Sequence, residues 1–282
     1  MPDTSHSQSI QRVPLDRAEL IEIAGVDAVA FAHAQFSSDL AGLATGSWQW
    51  SAWLSAEGRT RAVFAVLRVA DDRLLVWLPL GGARAIADAL ARYVLRAKVR
   101  LQTLDWMLCK ASATPSEGVA ALDGGYAFEL KDSRTVWLGP AHDGTPDPRE
   151  LTAWRLADIA AGLPWLAPPL QEKFVPQALD LARIDALRLD KGCFPGQEIA
   201  ARLHFRGGLK QRLHRVVLRG ENDVPPGLAI DSGGTNAGVV LYAARSDART
   251  WQALAVMGGN AIDGAQLASK NGHEVALHAT TF

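Results

Sequence analysis

The chain reads as an α+β domain followed by a small all-β module, and three observations predict this. Helix-like and strand-like segments mix up to about residue 206 without the regular β-α-β spacing of a parallel sheet. Beyond Arg206-Gly207-Gly208 only short strand-like runs follow, parted by Gly, Pro, Asn and Asp. The 282 residues are about 1.9 times the usual length of one domain. The expected units are 13–206 and 207–282.

The elements follow in order. The first dozen residues are rich in Ser and Gln and are expected to be loose, with order beginning near Val13 and a packed stretch over Leu20 to Phe36. The apolar runs Ala62 to Leu67 and Leu74 to Leu78 flank Asp71-Asp72, a hairpin signal. Ile86, Leu90, Tyr93, Val94 and Ala97 recur at three- and four-residue steps, which predicts a helix over Gly82 to Ala97; Lys98 to Leu104 then alternates as a strand. Asp147-Pro148-Arg149-Glu150 reads as an N-cap, a proline at the first helical position and a reciprocal acid, so a helix is expected over about 148–161, ending at Gly162 and Pro164. Past residue 207, Gln211 to Leu218, Val239 to Arg245, Trp251 to Val256 and His273 to Leu277 are the expected strands, and Gly233 to Gly238 a loop.

Composition narrows the function classes. Lys and Arg number 29 against 30 Asp and Glu, a net charge of -1, which excludes bulk attraction to nucleic acid. The two cysteines, Cys109 and Cys193, stand far apart without a Cys-x-x-Cys, so neither a disulfide framework nor a cysteine-rich metal finger is expected, and a reducing cytoplasm fits. No leader-like start and no apolar stretch of about 18 residues is present, so a soluble, untargeted protein without membrane contact is expected.

The densest chemistry lies in Leu187-Arg188-Leu189-Asp190-Lys191-Gly192-Cys193-Phe194-Pro195-Gly196-Gln197-Glu198-Ile199. Gly192 and Gly196 bracket the cysteine and allow a positive φ or a close approach, while Lys191 supplies a charge that favours thiolate. This describes a presented thiol; the alternative is one more buried, inert cysteine. The run Lys191-Gly192-Cys193-Phe194-Pro195-Gly196-Gln197-Glu198 resembles the K-G-C-[FYW]-x-G-Q-E signature of the YgfZ-type, glycine-cleavage-T-like folate-binding proteins. Phe174-Val175-Pro176-Gln177 is similar to that family's F-x-P-Q segment, and Ala201-Arg202 with Arg206-Gly207 to its A-R…R-G continuation. Weaker similarity runs through Gln35 to Asp39, Gly58-Arg59 and Tyr93 to Val99.

The resemblance implies a tetrahydrofolate-binding α+β domain of antiparallel sheets and helices, then a β-barrel. It also implies a role in assembling or repairing iron–sulfur clusters in client enzymes, among them those that methylthiolate tRNA. By the same resemblance Cys193 is the functional thiol, and Lys191, Gly192, Phe194, Gly196, Gln197, Glu198 and Arg202 form its surround. The aminomethyltransferase of glycine cleavage has an L-R-L-E segment similar to Leu187-Arg188-Leu189-Asp190, which makes Asp190 a candidate folate contact; the alternative is a surface acid beside Lys191. A carboxylate accepts two parallel N–H bonds from an aminopyrimidine edge. That enzyme's N-x-x-K-D stretch has no counterpart here, since the region reads Val76-Trp77-Leu78-Pro79-Leu80-Gly81-Gly82. One-carbon transfer is therefore the rival reading and requires an acid such as Asp39 or Asp105 at the folate.

Between Arg202 and Arg219 stand Arg202, Arg206, Lys210, Arg212, Arg215 and Arg219, with His204 and His214 and no acid. This strip suits an anion: a folate glutamate tail, for which Arg206 is the nominee, or RNA phosphates; it is equally the outward face of a solvated hairpin. A nearly neutral chain favours the tail, and direct nucleic-acid binding is the third reading. Trp48, Trp50 and Trp53 either stack on a pterin or fill a core, and the core is favoured. Cys193, His204 and His214 lack the close spacing of metal ligands, so no stably bound metal is expected. His273 to His278 has one residue too many for the H-E-x-x-H zinc helix and reads as a strand. A Cys-His hydrolase is a further option, for which the sequence nominates no base.

Overall fold

The computed structural model describes residues 11–112, 118–140, 144–259 and 267–277. The expected loose start and the chain end with His278 lie mostly outside them. The first unit is one antiparallel sheet of eight strands in the order β2-β3-β4-β1-β5-β8-β7-β6. Its members are β1 (Arg12–Ala24), β2 (Ser47–Leu54), β3 (Thr60–Ala70), β4 (Arg73–Leu78), β5 (Arg100–Ala111), β6 (Val119–Leu122), β7 (Gly125–Glu129) and β8 (Thr135–Gly139).

Both faces of this sheet are covered, which explains why β3 and β4 read as unbroken apolar runs. In β4, Leu75 and Trp77 enter one core while Leu74, Val76 and Leu78 enter another; in β3, Val63, Ala65 and Leu67 face the first and Phe64 and Val66 the second. The second core is closed by α1 (Ala28–Gln35) and α2 (Ala83–Ala91), through Phe31, Ile86 and Leu90. The first is closed by α3 (Pro148–Ala160), the irregular stretch around Trp165, Leu170 and Phe174, and the outer wall of the barrel. Trp48 and Trp50 lie edge to face at 4.9 Å in that core, and Trp53 is buried on the opposite face against Phe64 and Val66. All three tryptophans are packing residues.

The hairpin about Asp71-Asp72 forms as expected, with Ala70 opposite Arg73. Helix α2 corrects the sequence reading, for it stops at Ala91 instead of continuing to Ala97. Tyr93 and Val94 close tight turns onto Leu90 and Ala91, and Lys98 N–H donates to Asp27 Oδ2 at 2.7 Å, so the chain is drawn off the helix axis into β5. Helix α3 begins as predicted: Asp147 accepts from Arg149 N–H at 2.8 Å, and Pro148 holds the first position. The expected return bond from Glu150 is replaced by an ion pair with Lys110 at 3.4 Å.

A last helix, α4 (Gln197–Arg206), leads into the closed barrel β10-β11-β12-β9-β14-β13, built from β9 (Gln211–Arg219), β10 (Ala229–Ser232), β11 (Thr235–Asp247), β12 (Thr250–Gly258), β13 (Leu267–Ser269) and β14 (Glu274–Leu277). Closure pairs the backbone of every strand on both sides and leaves no open edge. The Gly-rich stretch is tighter than the expected loop: Gly233 and Gly234, both with positive φ, make a two-residue turn and β11 starts at Thr235. His273 precedes β14 and is a buried structural residue, its Nε2 2.9 Å from the Asn222 carbonyl and its Nδ1 2.7 Å from Asn271 Oδ1. Among the described residues no helix is long and apolar enough to cross a membrane.

Candidate functional site

Four separated segments meet at the loop before α4. Gly196 takes φ +76° at the helix start, and a Cβ there would stand 2.4 Å from the Ser55 carbonyl oxygen and 2.7 Å from Gly58 Cα. Gly58 is equally crowded, by Ile199 at 2.8 Å. Two glycine backbones thus lie against each other and seat α4 on the β2–β3 turn. Gln177 donates to the Ala200 carbonyl at 2.7 Å, so the Phe174–Gln177 segment grips the helix from another side. Gln197 reaches back with its amide to the carbonyls of Leu189 at 3.2 Å and Lys191 at 3.3 Å, closing the loop on itself.

Lys191 ties this loop to the end of α1. Its ammonium donates to the carbonyls of His33, Phe36 and Ser38, and lies 5.1 Å from the buried Phe194 ring. His33 and Phe36 stand at the end of α1, where a helix leaves carbonyls without partners and a cation complements the dipole; Ser38 follows just beyond. Burial draws its pKa down to about 8, while Asp39 pulls the other way. The sequence reading had this charge favouring a Cys193 thiolate; the structure commits it to the carbonyl cradle.

Cys193 itself is free and exposed. Cys109, by contrast, is buried in β5, and its thiol is pushed up to about 11 by burial, against the pull of Arg12. Of the two, only Cys193 is presented. His33, which the sequence did not nominate, has Nε2 3.5 Å from where a Gly192 Cβ would stand. Its Nδ1 accepts from Ala41 N–H at 3.1 Å and faces Asp39 Oδ1 at 3.4 Å. Burial, then the Lys191 charge, lowers its pKa, so the ring is neutral with its proton on Nε2. His33 therefore offers this loop a hydrogen-bond donor. No periodicity or spacing announced it; only the fold joins α1 to residue 192.

Asp190 is exposed, and both of its oxygens accept from the Arg188 guanidinium, at 2.8 and 2.7 Å. That fork holds its pKa down at about 2. It stays ionised and acceptor-only, with lone pairs left over for a second N–H pair. Glu198 sits exposed in the first turn of α4. Asp39 joins this loop through His33, whereas Asp105 is on β5, paired at 2.9 Å with Arg17.

Six residues of the basic strip divide between two cavities. Arg202, Arg206 and Lys210 line a groove of about 850 Å³ between α4 and the barrel, joined by Arg59 and Glu57 from the β2–β3 turn. His204, Arg212 and His214 line a separate cavity of about 320 Å³ with Gln177 and Asp180. Burial, helped by Arg212, lowers the His214 pKa, so that ring is uncharged near neutrality. Cys193 lines neither of these two cavities, so Cys193, His204 and His214 do not converge. Among the described residues no group of three or more His, Cys, Asp or Glu is placed to hold a metal ion.

No protein-family model matches the chain. An uncharacterized Haemophilus influenzae protein is 27% identical over 261 residues, 91% of each chain. The tRNA-modifying protein YgfZ of Vibrio vulnificus is 25% identical over 225 residues, 72% of this chain and 68% of that one. That of Blochmanniella pennsylvanica is 41% identical over 63 residues, 22% of this chain and 19% of its own. Among solved structures, the glycine cleavage system aminomethyltransferase T of Bartonella henselae superimposes with a TM-score of 0.67 at 15% identity, covering 96% of this chain and 84% of that one. The eight-stranded sheet and the barrel that follows it thus define a protein of the glycine-cleavage-T-like fold. Within that fold, the sequence is similar to proteins named YgfZ.

Proposed function

We propose that this chain is a tetrahydrofolate-binding accessory protein that supports iron–sulfur cluster assembly or repair in client enzymes, including enzymes that methylthiolate tRNA, with Cys193 as its functional thiol. The observation that carries the reading is the loop itself. Four segments, a lysine cradle and a glycine–glycine contact hold rigid a stretch whose cysteine is left exposed. Rigid backbone under an exposed polar residue is how a fold presents chemistry. The folate part draws on the likeness to the aminomethyltransferase fold, and the client part on relatives named tRNA-modifying proteins.

The residues present fit the polar edge of a pterin in one respect: Asp190 is exposed, ionised and free to accept paired N–H donors. They do not offer the tryptophans of β2 as a stacking surface, since those are spent on the core. Bound tetrahydrofolate would supply a carrier for a one-carbon unit; Asp190 would orient its ring and His33 would offer one donor. Because Asp39 lies against His33, one-carbon transfer stands as the second reading, with Asp39 and not Asp105 as its carboxylate.

Anaerobic calorimetry tests the premise. We expect saturable one-to-one binding of tetrahydrofolate, weakened about 10- to 100-fold in Asp190→Ala, the worth of a charged hydrogen-bond pair. Cys193→Ala should bind folate normally yet fail to restore methylthiolated tRNA in cells lacking the chain. Absence of binding at millimolar ligand, or full rescue by Cys193→Ala, overturns the proposal.

A further inference from the structure

We infer that the corner where the α2–β5 turn meets the start of α1 is a docking surface for the client enzyme, which would present an acidic patch around an apolar pocket; this rests on the accessory-protein reading above. Five large apolar side chains are exposed among the described residues, and three of them stand here: Val26, Tyr93 and Leu95, with Leu95 at 87% and Val26 at 74% exposure. The other two, Ile199 and Phe205, belong to α4. The backbone of the corner is fixed. Val94, Ala97 and Val99 pack against the second core. On either side of Val26, a Cβ on Gly25 would stand 2.1 Å from the Lys98 carbonyl oxygen, and Asp27 Oδ2 accepts the Lys98 N–H at 2.7 Å. Leu95 therefore projects from an anchored turn, as an apolar side chain does where something is to cover it.

Cations surround it. Arg92, Arg96, Lys98 and Arg100 are exposed, and among the described residues only Arg100 of the four has an acid, Glu22 at 3.7 Å. Asp72 opposes them from the adjoining β3–β4 turn, where its carbonyl accepts from Gly25 N–H at 2.9 Å. A protruding leucine ringed by guanidinium groups has the form of an interface anchor with a polar rim, and the rim selects an acidic partner. RNA is the poorer occupant. The aromatic ring at this corner, Tyr93, is held edge to face on Trp53, and two aliphatic side chains gain nothing from phosphates. A bilayer is poorer too, because the corner is a turn and not an amphipathic helix, and Asp72 would face anionic headgroups. Position supports a client. The corner opens α1 and Lys191 of the cysteine loop holds the carbonyls at its far end, so the two lie about 12 Å apart along an eight-residue helix. An enzyme seated on the corner has the cysteine loop beside it.

The test titrates a purified tRNA-methylthiolating enzyme of the same organism with the full chain by interferometry, and measures methylthiolated tRNA in cells lacking the chain. Leu95→Asp and Arg92→Glu/Arg96→Glu change exposed side chains, so both variants should fold and bind tetrahydrofolate like wild type, which circular dichroism and calorimetry check. We expect saturable binding by the wild type, weakened about 30-fold or more in Leu95→Asp, as loss of an interface anchor gives. The arginine variant should bind about 10-fold more weakly at low salt, and most of that difference should vanish at about 0.5 M salt. Leu95→Asp should also fail to restore methylthiolated tRNA. Variants that bind and rescue like wild type, or a wild type that does not bind the enzyme, overturn the inference while sparing the accessory-protein reading. Cells that keep their methylthiolated tRNA without the chain overturn both. Loss of rescue with enzyme binding intact overturns the inference too, and a parallel loss of tRNA binding or of flotation with phosphatidylglycerol vesicles would name nucleic acid or a membrane as the occupant.

Discussion

Two glycines of the same loop should behave oppositely when a methyl group is added. At Gly196 the new Cβ meets backbone at 2.4 and 2.7 Å under a positive φ, and neither partner is a side chain that could swing away. Gly196→Ala should therefore cost about 2–4 kcal/mol by denaturant titration, combining the left-handed penalty with overpacking. Gly192→Ala meets only His33 Nε2 at 3.5 Å, an ordinary contact, and should fall within about 0.5 kcal/mol of wild type. Equal costs would mean that α4 is not seated through the Gly196–Gly58 approach. Lys191 carries a pH signature of its own. It titrates at 10.5 when unfolded and at about 8 when folded, so the unfolded chain holds more protons between those values. This residue's contribution to stability must then rise with pH across that window and be constant below it. Unfolding measured from pH 7 to 10.5 should show this slope in wild type and lose it in Lys191→Met; parallel curves would contradict the burial of the ammonium.

At the scale of elements, legibility followed from how local each cause is. The β3–β4 hairpin and the start of α3 were readable because their determinants, the Asp71-Asp72 turn and the Asp147-Pro148 cap, lie within a few residues of the elements they set. The end of α2 was not, because the bond that redirects the chain at Lys98 comes from Asp27, far away in sequence. For the same reason the motif residues Lys191, Gly196 and Gln197 were visible as a cluster while their tasks were not. The sequence suggested an electrostatic role for Lys191, and its carbonyl partners sit more than 150 residues away. Helix α4 escaped notice because its apolar face, Ile199, Ala200 and Leu203, is confined to little more than one turn and it has no capping side chain to announce its start. Helix α3 rests instead on a buried charge: Asp158 accepts from Arg134 at 2.8 Å and from Trp165 Nε1 at 3.0 Å, and lies 3.8 Å from Arg155. Removing it takes the buried acid from two guanidinium groups, although Arg134 keeps Asp132 and Arg155 keeps the Pro79 carbonyl, so Asp158→Ala should lose about 2–3 kcal/mol, read from the denaturation midpoint. A loss below 1 kcal/mol would show the cluster to be hydrated and inessential.

Across the whole molecule, the barrel and the sheet share one core. Leu213, Leu241, Tyr242 and Leu254 on the barrel's outer wall pack into the same cluster as Trp50, Trp77 and Trp165, and the Tyr242 hydroxyl donates to the Leu163 carbonyl at 2.7 Å. Heating should accordingly give a single cooperative transition, with calorimetric and van't Hoff enthalpies in agreement. Two resolved transitions would show that the contact is weaker than its burial implies.

That shared core changes what the strand of chain between the halves is for. Gly207 and Gly208 are exposed, hold positive φ, and touch nothing that a side chain at either position would disturb. They do not hold the halves together; they set the concentration at which each half meets the other. A peptide bond cut there should leave two fragments that travel as one species on a sizing column and part only in denaturant, as two subunits joined by the shared core would.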